Sequence, residues 1–224
     1  MILRLIALLG FGILLNGAVV VDRVAIIVGK RVVKTSDLER DLRVSQFMNR
    51  QPLDLSPVTR RKVADRLITQ ELIHQEVMNG GYSRPTEKDV DAFVQKLKRD
   101  RFSNSDTQFR SALARYDLTE DELRRYLLWQ LTVLRFIDER FRPGVLVTDE
   151  DVRAYYEANQ AELQKANPKN SSLQALEPTI RETLVGERVN QNFEEWLGNT
   201  RQRLRIEYRD PVLREGTTAQ GAKQ

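Results

Sequence analysis

Strand-like apolar runs mark the two ends of the chain, and helical spacing fills the stretch between them. Near the start, "VVVDRVAIIVGKRVV", Val19 to Val33, is rich in β-branched residues and broken at Gly29-Lys30. Two apolar runs separated by a two-residue Gly-X loop predict a β-hairpin. Val24, Ala25, Ile26, Ile27 and Val28 are apolar on both faces of the first strand, so each face must be covered. An isolated hairpin is marginal in water and needs a further strand or a packed helix. The other good strand pattern lies at the far end. There "RLRIEYRDP", Arg203 to Pro211, alternates Leu204, Ile206 and Tyr208 with Arg205 and Glu207. The two ends of the chain are therefore expected to meet in one small sheet.

Between them, capping-box patterns open most of the predicted helices, because a Ser or Thr cap with an acid or Gln three residues on satisfies orphan amides. Ser36 with Glu39 opens the first helix, through about Asn49. Ser56-Pro57 opens the second, closed by Gly80-Gly81. Thr86 with Asp89, Ser105 with Gln108, Thr119 with Glu122 and Thr148 with Asp151 open the next four, and Glu177-Pro178 starts the last, running to about Gln202. Leu127 to Ile137 is apolar nearly all round, as in an enclosed helix. The last helix carries Ile180, Leu184, Val189, Phe193, Trp196 and Leu197 on one stripe, a docking face for the N-terminal helices. The fold class is mainly α with a small β-sheet, a multi-helix module closed by an N-terminal hairpin paired with a C-terminal strand. The chain divides into a leader (1–18), one module (19–210) containing a short linker (164–177), and a disordered tail (211–224).

The leader follows from "MILRLIALLGFGILLNGA", with Arg4, an apolar run from Leu5 to Leu15, and small Gly17 and Ala18. That is the layout of a bacterial secretory signal peptide, which predicts an exported, periplasmic protein. The alternative is an uncleaved inner-membrane anchor, since apolar character continues to Val21. At 224 residues with a net charge of +4, the chain can bury a real core. Its basic clusters, Arg60-Arg61-Lys62 and Arg201-Gln202-Arg203, are too modest and scattered for a nucleic-acid site and are expected to be solvated helix faces.

Chemistry-bearing patterns are scarce. Cysteine is absent, which excludes thiolate zinc sites, thiol nucleophiles and disulfides. His74 is the single histidine and lies inside the second predicted helix, a structural or surface position. Asp149-Glu150-Asp151 and Glu120-Asp121-Glu122 fall in first helical turns, where the macrodipole favours negative charge. Phosphate loops, nucleophile elbows and His-Glu-x-x-His are missing. No catalytic residue, cofactor or metal is expected.

The ordered segments "VVDRVAIIVGKRVVKTSDLERDL", "VADRLITQELIHQEVMNGGYSRPTEKDVDAFVQKL", "FRSALARYDLTEDELRRYLLWQLTVLRFIDE", "VTDEDVRAYYEAN" and the final helix with "RLRIEY" resemble the SurA-type periplasmic chaperones. In SurA-like, PpiD-like and PrsA-like proteins, one or two parvulin prolyl-isomerase domains sit between the last two flanking helices. Here only Gln164 to Pro178 bridges that gap, far below the roughly 50 residues of an ordinary domain. The resemblance therefore implies the chaperone module alone. It would be a non-enzymatic, ATP-independent holdase for unfolded envelope proteins, such as outer-membrane β-barrel precursors, with no nucleic-acid partner. A membrane would be a partner only if the leader is retained. The alternatives are a non-catalytic scaffold or dimerisation module for an envelope protein, and, last, a prolyl isomerase. Phe47, Met48, Met78, Phe102 and Phe109, near helix ends or on mixed faces, are the candidate client-binding residues.

Overall fold

The computed structural model describes residues 22–166, 168 and 170–214. The leader at 1–18 and the tail from Glu215 onward lie outside the described residues. Strands β1 (Val24–Val28) and β2 (Arg31–Lys34) form the expected hairpin, and β3 (Ile206–Tyr208) joins them. The order is β2-β1-β3, antiparallel throughout, with Ile26 opposite Tyr208 and Val28 opposite Ile206. Backbone bonds beyond the strand fix this closure, Gly29 N–H donating to the Arg205 carbonyl (2.9 Å) and Arg209 N–H to that of Ala25 (2.8 Å). Gly29 turns the hairpin at φ 59°, where a Cβ would also meet Leu204 Cδ2 at 3.3 Å. Glycine meets both demands.

The helices follow as α1 (Thr35–Asn49), α2 (Pro57–Gly80), α3 (Glu87–Phe102), α4 (Asp106–Ala114), α5 (Glu120–Phe141), α6 (Asp149–Ala158), α7 (Gln160–Ala166), α8 (Leu173–Gln202) and the single turn α9 (Pro211–Arg214). The expected caps operate at α2 through α6, as in Thr86 N–H on Asp89 (2.7 Å) and Thr119 N–H on Glu122 (2.8 Å). At α1 the residues differ. Lys34 N–H donates to Asp37, and the Ser36 hydroxyl is drawn instead to Asp22 of the incoming strand.

Three further expectations need correction. The last helix starts at Leu173, capped by Ser172, rather than at Glu177-Pro178, with Pro178 as its sixth residue. Burial of Leu176 and packing of Leu173 on the α6 cluster extend the helix despite the one backbone bond that proline removes. The segment read as a 164–177 linker is mostly helix, belonging to α7 up to Ala166 and to α8 from Leu173. Residues 211–214, assigned to a disordered tail, instead form α9, whose Leu213 is buried in the core while Arg61 holds the Val212 carbonyl (3.1 Å).

The core has four connected parts. The sheet packs Ala25, Ile26, Val28 and Val33 on Leu38, Leu42, Leu67, Ile68 and Leu72 of α1 and α2. Val44, Val90, Val94, Phe109, Leu113 and Leu123 join α1, α3, α4 and α5. Ile73, Val77, Phe136, Phe141 and Val189 join α2, α5 and α8, and Val152, Leu176 and Ile180 hold α6 to the start of α8. The α8 stripe docks as expected, on α2, α5 and α6. Helix α5 is less enclosed than its sequence suggests, for Leu134 is 63% exposed. The basic clusters are not merely solvated: Arg60 pairs with Glu39 (3.1 Å) and Arg201 with Asp65 (3.0 Å), each fastening two elements.

Candidate functional site

Among the clefts of the described residues, two combine aromatic and charged side chains from several elements. The central cleft, about 370 Å³, lies where edge strand β2 overhangs α1, α2 and α5. Val33, Val44 and Leu67 form its buried apolar wall, Tyr126 and Trp129 of α5 face them, and Val32 stands exposed at the lip. Its charges are largely spent on one another. Arg31 pairs with Glu71 (3.0 Å), and Arg40 with Asp37 (3.1 Å) and Glu122 (3.3 Å). Buried Asp41 is held by Arg66 and by the Gln70 amide (3.4 Å), while Arg66 also reaches the Ser45 hydroxyl (3.0 Å). Burial, foremost, pushes the Tyr126 phenol above its ordinary range, so it stays a neutral donor. The Trp129 indole N–H is buried without a hydrogen-bond partner among the described residues. The result is an amphipathic slot, one wall apolar and most of its rim charges paired except Arg125, beside a strand edge whose outward backbone groups are unpaired by the sheet.

The second cleft, about 430 Å³, lies where the C-terminal ends of α1, α3 and α4 converge. Phe47, Phe102, Ala112 and Tyr116 supply apolar surface, and Arg50, Asp100, Arg101 and Arg115 ring the mouth. Phe47 stacks on Phe102 (6.3 Å, 4°) and meets Tyr116 edge-on (5.6 Å). Arg101 donates to the Met48 carbonyl (2.7 Å). Its guanidinium is shifted down by partial burial and then by the charge of Arg50.

Of the candidate client residues, Phe47 and Phe102 line this end cavity and Met48 packs against the same cluster. Phe109 is fully buried behind them, under Lys98 Nζ (4.7 Å from the ring centre), so as a direct client contact it is corrected to core. Met78 stands apart and exposed at the end of α2, its sulfur 3.3 Å from Arg84. The central cleft was missed. Its one visible signal is that Val32 and Val33 are adjacent in a strand, so one of them must face outward. Trp129 looked like an ordinary position in the apolar run Leu127 to Ile137, and Tyr126 just before it carried no signal of its own.

His74 lies against the Trp129 ring (5.7 Å) and has a structural place in α2. The two acidic runs sit in first turns as expected. Arg188 at 2.8 Å, then the Thr148 amide, hold Asp151 down to about 2.

Fold and clefts together define a mainly helical module with a small sheet sealed by both chain ends and two amphipathic clefts. No family model matches the chain. It is similar to the foldase protein PrsA of Clostridium botulinum (strain Loch Maree / Type A3), 29% identical over 115 residues, which are 50% of this chain and 34% of that protein. It is also similar to the foldase protein PrsA of Clostridium kluyveri (strain NBRC 12016), 22% identical over 163 residues, 64% of this chain and 48% of the relative. The chain thus spans less than half the length of these relatives.

Proposed function

We propose that this protein is an ATP-independent holdase that shields extended, partly folded segments of exported proteins, among them outer-membrane β-barrel precursors, without catalysing prolyl isomerisation. The observation that carries the reading is the central cleft, an amphipathic slot of about 370 Å³ against an edge strand, with an apolar wall and most of its rim charges paired. Unfolded β-rich chains expose alternating apolar side chains and unpaired strand edges, and a slot beside β2 offers cover for both. Weak, area-limited burial in such a slot releases its client without nucleotide. Similarity to PrsA foldases supports the chaperone part of the reading.

The test is light scattering from a denatured outer-membrane protein diluted with and without the purified chain. Suppression at a several-fold molar excess is the expected result, and Val32→Asp, at the exposed lip, reduces it. Equal scattering with and without the chain overturns the proposal. Cross-linking to one stoichiometric partner in place of many unfolded clients would favour a scaffold instead. Turnover of a proline peptide well above a denatured control would restore an isomerase.

A further inference from the structure

The connection between α1 and α2, "NRQPLDLSPVTRRK", Asn49 to Lys62, presents apolar side chains outward from a well-held backbone. Leu53, Leu55 and Val58 are 44%, 40% and 56% exposed, and none of them lines either cleft. A loose loop would fold such residues inward or sample many arrangements. This one is pinned. The Gln46 side chain makes a two-point backbone contact with Asp54, its amide donating to the Asp54 carbonyl (3.0 Å) and its oxygen accepting from the Asp54 N–H (2.9 Å). Gln51 N–H donates to the Gln46 carbonyl (2.9 Å), and the Tyr116 hydroxyl donates to the Gln51 carbonyl (2.7 Å).

Charge around the tip is positive on balance, four cations to one acid. The stretch holds Arg50, Arg60, Arg61 and Lys62, and its single acid is Asp54. Asp54 is occupied within the loop, accepting from the Ser56 amide (2.9 Å), the Ser56 hydroxyl (3.1 Å) and the Thr59 hydroxyl. Arg60 is paired with Glu39 and Arg61 is engaged with the Val212 carbonyl, whereas Arg50 and Lys62 make no ion pair among the described residues. Exposed apolar side chains flanked by an excess of cations fit a deformable anionic surface, with side chains among the acyl chains just below the headgroups and cations at the phosphates. A folded protein partner would have to bring its own shaped groove to the same tip.

We propose that the Leu53–Val58 segment is a docking tip for anionic lipid, inserting Leu53, Leu55 and Val58 while Arg50 and Lys62 contact headgroup phosphates. The tip works whether or not the clefts hold clients.

The absence of cysteine makes the test clean in the full chain. Gln51→Cys, at an exposed position whose loop contacts are made by its backbone, takes an environment-sensitive dye, and Glu150→Cys on α6 serves as the remote control. Vesicles of phosphatidylcholine alone are compared with vesicles containing phosphatidylglycerol. The expected result is a blue shift with about twofold or greater emission at position 51 on the anionic vesicles only, with no change at position 150. Leu53→Ser with Leu55→Ser abolishes the shift, and Arg50→Gln with Lys62→Gln weakens binding about fivefold for each cation removed. Salt near 1 M, where screening acts within about 3 Å, weakens it as well. No shift at position 51, an equal shift on neutral vesicles, an equal shift at position 150, or a shift produced only by unfolded protein each overturns the proposal. Circular dichroism of every variant checks that loss of signal is not loss of fold.

Discussion

The sheet-centred core and the α6–α8 extension are held by different physics. Around β1 the contacts join residues far apart in sequence, with Ile26 opposite Tyr208 and Leu213 buried beside α2. Apolar burial and backbone pairing carry that region. The extension is local, α6 packing on the start of α8 through Val152, Leu176 and Ile180, while α7 has no buried residue. Much of its fastening is ionic. Arg181 reaches the Val147 carbonyl (2.7 Å) and Asp149 (2.6 Å), Arg188 holds Asp151 (2.8 Å), and Arg142 pairs with Glu182 (2.5 Å). Exposed pairs of this kind contribute little each and are weakened by salt. The lesson is that the clefts sit on the apolar, end-closed part, so the extension can loosen without dismantling them.

The largest effect expected from breaking this contrast is at the shared strand. Ile26→Ala costs about 2–5 kcal/mol, because the site is wholly enclosed and cannot collapse around the lost methylenes. Urea unfolding followed by circular dichroism should show one cooperative transition at lower midpoint. Ile180→Ala should cost nearer about 2 kcal/mol, since the half-exposed neighbours of α6–α8 can close on the cavity. Hydrogen exchange would then quicken in α6 and α8 before β1, and equal quickening in both would refute the division.

Acid sharpens the comparison further. The Asp151 carboxyl is held at about 2 in the fold, below its ordinary 3.8, chiefly by Arg188. A depressed carboxylate stabilises the folded state fully above its unfolded value, and that contribution disappears as pH falls from about 4 to about 2. Exchange in α6 should therefore rise across that window earlier than in β1, and Asp151→Asn should flatten the response. The smallest effect belongs to Leu134→Ala. This exposed position should shift stability by no more than about 0.5 kcal/mol, read from the urea midpoint.

Local signals were written plainly. Gly29-Lys30 announced the hairpin, and the Ser and Thr caps located five helix starts between α2 and α6, because both depend on residues within four positions of each other. Alternation in Leu204–Tyr208 even indicated the closing strand, since a β1 apolar on both faces requires cover. What alternation could not convey was how burial competes with a breaker, and so Pro178 looked like a start while Leu173 and Leu176 carried the helix past it. Four of the five client candidates cluster at one end of the molecule, but their spacing could not reveal that Phe109 lies beneath Phe47 and Phe102.

The sequence by itself determined most of the elements, the helical class and the joining of β3 to the hairpin, through turn chemistry, caps and periodicity, but not α7, α9 or the start of α8. Only the tertiary structure decided where the clefts open. The central one takes residues from Arg31 to Trp129 on four separate elements, and whether an apolar side chain becomes wall, lip or core is fixed by which neighbours arrive from elsewhere in the chain.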